Sequence, residues 1–593
     1  MKLESHYIRL RQLLPASAEL VPVEITLDEI ASLLDCTHRN AVLLLRKMGE
    51  RRWLEWSPER GRGKKSKLIF LVRTEDIVVG LAQELVEKKD LRGALEQMNV
   101  SFVPAKLKDH FHHWLNGHFG HSSELRNDKR IDTLRFPLTS PIGTLDPLHI
   151  NFAAESHLVN QLFDSLVRYN RHSQTIDPHL AHAWETDTDR TTWTFYLRKG
   201  VLFHHGREMT AEDAAFSLLR LKHAPSRLLY RWVYEQMSRI EAVDPITLQI
   251  ELSSPNELFL QFLSTNRASI VPKDMCEKLQ DRFGRSPVGT GPFRLTRHDA
   301  SMSVLEAFPS YFQGRAHLDE VELWHIPDLG RQEPGSTLES FQIIHNYRLP
   351  SEPSSDWNEA QRHGTTCKFI TFNPTKQGPA ADAAIRAAIY QAFNRTRLLD
   401  ELELEPSALL ASFVADDLPA PPAPLSEDES RRLLRDAGYR GETVRLCTIT
   451  HYEQDARLVQ KIAQQAGIKL ELMLLPVEEF KGERRLQADL LLFSLILDND
   501  LELRLVDLYK SMQRHMHPEP KTLVEQQLAA VLTEPVRQRR LERFGQIERI
   551  LTDRHLLLFL YRKHLKTIYH SSVKGLTLDA LDWVQFKNIW FKP

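Results

Sequence analysis

The chain has little of what would mark it for export, for a membrane or for a disulfide scaffold. Its first residues, MKLESHYIRLRQLL, scatter charge where a signal peptide needs an apolar core. No apolar run approaches the roughly 20 residues of a membrane span; the run LLLFSLIL at 490–497 is far too short. The four cysteines (Cys36, Cys276, Cys367 and Cys447) stand too far apart for a C-x-x-C metal or redox site and are expected to be small buried hydrophobes. Catalytic patterning is missing as well. No nucleophile–base pair, paired-carboxylate pocket or metal-ligand cluster emerges, so neither an enzyme nor a cofactor is expected. A net charge of −2 excludes a wholly basic or acidic protein but hides local patches. These absences leave a cytoplasmic protein without a membrane segment, and 593 residues are too many for one core and suggest three or four domains.

The first such patch lies at the N-terminus. Residues 6–14 can form a helix, and Thr26 precedes L-D-E-I-A-S-L-L, a helix start with acids in its first turn. Leu27, Ile30, Ala31 and Leu34 fall at i, i+3, i+4, i+7, one helical face. Asp35–Cys36 makes a short turn and Thr37 is the next N-cap. In the second helix Ala41, Leu44, Leu45 and Met48 repeat the spacing, while Arg39, Leu43 and Arg46 point the other way, flanked by Asn40 and Lys47. Two short amphipathic helices joined by a tight turn make a helix-turn-helix. Trp53, Leu54 and Trp56 then read as a short strand, S-P-E-R-G-R-G-K-K-S-K as a basic loop and Leu68–Val72 as a returning strand, the shape of a wing.

The wing carries Arg60, Arg62, Lys64, Lys65 and Lys67, and residues 1–73 hold 14 Lys/Arg against 9 Asp/Glu, a local net of +5. Alone, such a run is most simply a solvated loop; behind a helix-turn-helix it reads as a wing lying on a phosphate backbone. A P-loop is excluded, because Pro58 sits at the first Gly position of G-x-x-x-x-G-K-[ST] and Lys65 at the Ser/Thr position. Candidate DNA-contacting residues are therefore Thr37, Arg39, Asn40, Arg46 and Lys47 on the second helix and Arg60, Arg62, Lys64, Lys65 and Lys67 on the wing, with double-stranded DNA as partner. Residues 74–130 read as a helical connector. Within it HFHHWLNGHFGH (110–121) is expected to be an aromatic-rich linker surface, since no Cys or carboxylate is fixed beside its histidines by spacing.

Residues 175–217 are read as an irregular segment, a turn at Asp187–Arg190, a strand in which Trp193, Phe195 and Leu197 alternate with polar neighbours, and a helix opened by T-A-E-D. Pro178, Leu180, Ala181, Trp184, Leu197, Arg198, Gly200, Phe203, His204, Gly206, Thr210, Ala211 and Asp213 together resemble the signature of family 5 bacterial solute-binding proteins, the receptors of peptide and nickel ABC transporters. L-F-D-S-L-V-R-Y (162–169), expected on a helix, P-V-G-T-G-P-F-R-L (287–295), Y-F-Q-G-R-A-H-L-D-E-V (311–321, Ala316 replacing a proline) and F-I-T-F-N-P-T-K-Q-G-P (369–379) extend the likeness. In that family these residues are mainly structural, and His204 belongs to an F-H-x-G turn. The resemblance implies a two-lobed α/β clamp over 131–593 that closes on ligand, with a first lobe at about 131–368 and 566–593 and a second at about 369–565. The Pro/Ala-rich stretch 404–430 is expected to be a surface loop of the second lobe.

Joined to a winged helix and lacking an export signal, this body resembles SgrR-type transcriptional regulators, with R-G-R-G-K-K-S (60–66) and W-L-E-W (53–56) matching their heads. The fold class expected is thus a small α(+β) winged helix-turn-helix (1–73), a helical connector (74–130) and a periplasmic-binding-protein-like, type II clamp. The resemblance implies a cytoplasmic DNA-binding regulator that senses a small-molecule ligand, such as a sugar phosphate, with closure transmitted through residues 74–130; the alternative is a solute receptor of an ABC transporter. Peptide-binding relatives carry W-x-x-D-Y-x-D-P in the second lobe. The nearest match, S-L-I-L-D-N-D (494–500), lacks Trp, Tyr and Pro and puts Asp498 at the cleft or on a plain surface turn.

Overall fold

Two helices of the head begin where a threonine side chain can take up free N–H groups. The computed structural model describes residues 3–14, 19–59, 64–99, 103–138, 142–170, 173–224, 228–326, 343–344, 356–361, 366–402, 407–415, 423–497, 500–563, 566–578 and 584–592. After α1 (Leu3–Leu13) and β1 (Pro22–Ile25), Thr26 and Glu29 form a reciprocal capping box that opens α2 (Leu27–Leu33). Thr37 Oγ1 accepts the Asn40 N–H at 3.4 Å to open α3 (His38–Glu50). The stripe Ala41, Leu44, Leu45 and Met48 is buried against Ile30, Ala31 and Leu34. The wing follows as β2 (Leu54–Ser57) and β3 (Ser66–Phe70), in a three-stranded sheet of order β1-β3-β2. β1 was not read from the sequence, because Val23–Glu24–Ile25 is too brief an alternation to stand out. Tyr7 locks α1 beneath the wing by donating its OH to Val72 O and Trp53 O.

Helices α4 (Thr74–Glu87), α5 (Leu91–Met98) and α6 (Ala105–Asn116) follow as expected, but the helical part of the connector stops at Asn116. Residues 120–138 are a hairpin, β4 (Gly120–Arg126) and β5 (Lys129–Leu138), turning at Asn127 and Asp128 with φ of 50° and 60°. Two consecutive left-handed residues match the twist of an antiparallel pair, and Asn and Asp tolerate them. The hairpin joins a five-stranded sheet of the first lobe in the order Phe293–His298, Met302–Ala307, Glu320–His325, β5, β4.

That sheet is apolar on both faces. Leu134, Phe136, Leu305, Val321 and Leu323 point into the core of the first lobe. The alternate residues Met302, Val304 and Trp324, together with Ile326, join one core with the head and α4–α6. Trp324 packs edge-on against Phe119 at 5.6 Å between ring centroids, and His118 lies against it at 6.4 Å. Glu322, with no exposed surface, accepts from Lys89 of the α4–α5 turn, from Arg135 Nε at 2.9 Å and from Trp324 Nε1 at 3.0 Å, while Arg297 donates to Lys89 O at 2.8 Å. The histidine run is therefore docking surface rather than linker surface. Phe111 and Leu115 are fully buried in the shared core, and His121 stacks on Phe591 at 3.9 Å and bonds Asp132 at 2.9 Å.

The signature stretch builds a second sheet of the first lobe, Met237–Asp244, Thr247–Leu252, Thr192–Leu197 and Ala181–Thr186 in that order. Trp193 and Phe203 are buried, whereas Trp184, on the edge strand, is half-buried. The stretch expected to be irregular holds two strands, Thr175–Pro178 and Ala181–Thr186. The helix expected to carry 162–169 ends at Leu162, and Val167–Asn170 is a strand, because Asp164 is turned inward. It accepts from His179 at 2.7 Å, Thr290 at 3.0 Å and Tyr311 at 3.0 Å, tying four separated motifs into one buried knot. Gly289 and Gly291 lie so close to this bend that an added Cβ would stand 2.0 Å from Leu162 O and 2.5 Å from Leu162 C.

The second lobe holds a six-stranded sheet in the order Ser407–Leu409, Leu557–Lys563, Thr366–Phe372, Leu490–Ile496, Val444–Ile449, Leu470–Leu475, parallel among the last three. The 404–430 stretch is not all surface loop. Ser407–Leu409 adds a strand, and Leu410 and Phe413 are buried, because A-L-L-A-S-F is apolar enough to enter the core. No helix among the described residues is long and apolar enough to cross a membrane.

Candidate nucleic-acid interface and interlobe cleft

The burial of one stripe of α3 leaves the opposite stripe to solvent. Thr37, Arg39, Asn40, Arg46 and Lys47 are all exposed there, and so are His38, Val42 and Leu43. Arg46 makes a 3.4 Å ion pair with Glu50 that leaves its side chain 68% exposed; such a surface pair contributes little and yields readily to another anion. Lys64, Lys65 and Lys67 are exposed at the base of the wing, where buried Ser66 accepts the Glu59 N–H through its hydroxyl at 3.1 Å. Arg60 and Arg62 lie outside the described residues. Helix and wing thus present cations on separate elements of one small domain, the arrangement in which a helix enters a groove and a hairpin follows the backbone. The exposed pair Val42 and Leu43 adds apolar surface between the arginines; Leu43 was expected there from its spacing, Val42 was not.

The second candidate is the cleft where the lobes meet. From the first lobe, Asn151 receives Lys481 Nζ at 2.6 Å and reaches Glu478 at 3.4 Å, and Phe152 lies 5.6 Å from the His451 ring. Deeper in, Tyr230 gives its N–H to Asp507 at 2.9 Å and Glu257 gives its N–H to Leu532 O at 2.8 Å. Burial raises the pKa of Asp507 against the pull of Tyr230, Arg267, Arg504 and Arg485. Arg267 and Arg485 are both buried, and burial lowers Arg267 and brings Arg485 down to about 10. Burial also holds His515 near 3, so it is neutral. Asp498 lies outside the described residues. Sequence reasoning missed Arg267, Lys481, Arg485 and Asp507, since an arginine destined for a cleft looks in sequence like any surface arginine.

The histidines of the signature are accounted for by the fold. His204 accepts Gly289 N–H at 3.2 Å on Nδ1 and contacts Gly291 O at 3.0 Å through Nε2, and burial brings it down to about 4. It is a neutral imidazole bonded to backbone at both nitrogens. His205 bonds Asp274 at 3.2 Å. No group of three or more His, Cys, Asp or Glu able to hold a metal occurs among the described residues.

Residues 175–503 match the family described as bacterial extracellular solute-binding proteins, family 5 Middle. Residues 2–122 match the family described as sugar transport-related sRNA regulator N-term. Over full length the chain is 30% identical to the uncharacterized protein YhjP of Bacillus subtilis (strain 168), covering 100% of both. It is 27% identical to the HTH-type transcriptional regulator SgrR of Escherichia coli O6:K15:H31 (strain 536 / UPEC), covering 100% of this chain and 99% of that one. Among solved structures, the periplasmic binding protein DppA from Helicobacter pylori in complex with peptide STSA aligns with a TM-score of 0.66 at 18% identity, over 78% of this chain and 98% of its own. NikA from Brucella suis in complex with Fe(III)-EDTA aligns at 0.63 and 21%, over 78% and 100%.

Proposed function

We propose that this chain, which belongs to the family 5 solute-binding proteins and carries an SgrR-type N-terminal domain, is a DNA-binding transcriptional regulator that senses a small-molecule solute in its interlobe cleft. The observation that carries the reading is a winged helix with an exposed cationic face whose core runs without a break, through α4–α6, into the sheet of a solute-binding clamp. A receptor working outside the cell has no use for such a face. The regulator works in the cytoplasm, where its operator is.

The shared core also bears on how solute reaches DNA. Head, connector and first lobe are held together by Trp324 and by the fully paired Glu322, so residues 74–116 act as a rigid mount rather than a flexible relay. In this proposal the lobes open and close about their interface, and solute shifts that equilibrium only by binding the closed form more tightly than the open one. A titration of the full-length protein with duplex DNA tests the reading. Affinity should fall linearly with log salt, because each neutralised phosphate releases a counterion. Arg39→Ala should cost about 1–3 kcal/mol of discrimination between sequences if it makes a bidentate base contact. No DNA binding at low salt would overturn the proposal.

A further inference from the structure

The solvent stripe of α3 is not uniformly polar. Arg39, Val42, Leu43 and Arg46 fall at i, i+3, i+4, i+7, one helical face, and it lies opposite the buried stripe Ala41, Leu44, Leu45 and Met48. Val42 is 47% and Leu43 40% exposed, and among the described residues neither packs into the core of the head. Exposed apolar side chains such as Leu125, Val243 and Val536 stand singly, as surface residues of any protein do. Val42 and Leu43 are adjacent in the middle of a helix, with a guanidinium about one turn away on either side.

The charge around the pair selects what covers it. α3 has no acid in its first turn, and its one carboxylate, Glu50, lies at the C-terminal end beside Arg46. A second copy docking through this face about a two-fold axis would set arginine against arginine. A neutral apolar partner would have to bury two guanidiniums without a counter-charge. An anionic partner that carries apolar points suits both the cations and the pair between them. The major groove of DNA is such a surface: it admits an α-helix, is edged by phosphates, and displays one apolar group on its floor, the C5-methyl of thymine.

We propose that Val42 and Leu43 read thymine methyl groups, so that the operator carries thymines beside the positions met by Arg39 and Arg46. The inference rests on the DNA-binding reading of the head and adds to it a base that α3 recognises. Valine in a helix holds one χ1 rotamer, so its methyls are in place before DNA arrives and little freedom is lost on contact. The contact works by burying apolar surface and releases no counterion, so it adds sequence preference without adding salt dependence.

The test uses the full-length protein and a duplex that it selects from a random-sequence pool. Each thymine of that duplex is replaced in turn by deoxyuridine, which removes only the methyl. At the contacted positions the parent protein should bind about fourfold more weakly, as expected for one buried methyl. Val42→Ala and Leu43→Ala should weaken binding to the thymine duplex, and each should abolish the deoxyuridine effect at its own position, as a direct contact does in a double-substitution cycle. Both should keep the parent's slope of log affinity against log salt. Leu125→Ala, on the connector hairpin, should behave as the parent. Leu43→Gln guards against loss by misfolding, because glutamine favours a helix as leucine does. It should keep the parent's Tm and its affinity for unselected duplex while abolishing the effect. A selected duplex with no preferred thymine, or deoxyuridine losses that are absent or equal in parent and variants, would overturn the inference. So would a dimer of the parent that Leu43→Ala turns into a monomer, since the pair would then belong to a second copy. No binding of the pool at low salt would strike the regulator reading and this inference with it, whereas a selected duplex indifferent to deoxyuridine removes the thymine contact alone.

Discussion

The junction between connector and first lobe and the cleft between the lobes both bury charge, and they do so in opposite ways. At the junction Glu322 has no exposed surface and is met by two cations and an indole N–H, inside a ring of Met302, Val304, Phe119 and Trp324. In the cleft Arg267 and Arg485 are almost as deeply buried and meet a carbonyl and a hydroxyl. A closed set of bonds inside a packed apolar ring has one low-energy arrangement, so the junction is a joint without play. The second set is less completely bonded, since Arg485 Nε is buried without an acceptor among the described residues.

The comparison breaks most visibly if the junction is not a shared core. Trp324→Ala should cost about 3–5 kcal/mol in urea unfolding, as a large buried aromatic does, and the head should unfold with the first lobe. An unchanged midpoint would mean that head and lobe are merely tethered.

The cleft should answer with the opposite sign. Arg485→Met should stabilise the protein, or leave it unchanged, within the ~1–4 kcal/mol seen when apolar groups replace buried charges. A loss of several kcal/mol would make Arg485 a structural residue.

His204 of the first lobe and His515 of the second are held neutral by burial, near 4 and near 3 against their ordinary 6.5. In the unfolded chain both take up protons below about pH 6.5, while in the fold they do not. Their contribution is therefore complete above 6.5 and is lost as pH falls toward 4. Glu548, pushed up to about 7 by burial, works the other way over the same range, gaining stability as it protonates below 7. Among these three groups the two histidines outweigh the one carboxyl, so together they lose stability toward acid. His515→Leu should flatten that slope by about 1.4 kcal/mol per pH unit, and an unaltered slope in a pH series of unfolding curves would place the acid sensitivity elsewhere.

The smallest effect on folding belongs to the head. Lys64→Ala with Lys65→Ala should leave stability unchanged and lower the slope of log affinity against log salt by about 0.9 per lysine. Salt titrations that superimpose on those of the parent protein would take these lysines off the DNA.

What the sequence determined by itself is local. The stripe Ala41, Leu44, Leu45 and Met48 and the caps Thr26 and Thr37 are patterns of a few residues, and the chain's own geometry turns each into one shape. The family signature was legible for the same reason, since runs such as P-V-G-T-G-P record close backbone approaches that only glycine allows. The tertiary structure alone decided which distant patterns touch. Leu162–Tyr169 reads as helix until Asp164 is seen to be pulled inward by His179, Thr290 and Tyr311. HFHHWLNGHFGH reads as surface until Trp324, some two hundred residues on, supplies the wall it packs against. Arg267 and Arg485 read as two of many surface cations. Only the tertiary fold takes them out of water and leaves them, among the described residues, without an ion-paired carboxylate, because burial and pairing belong to the whole fold and leave no trace in the spacing of a chain.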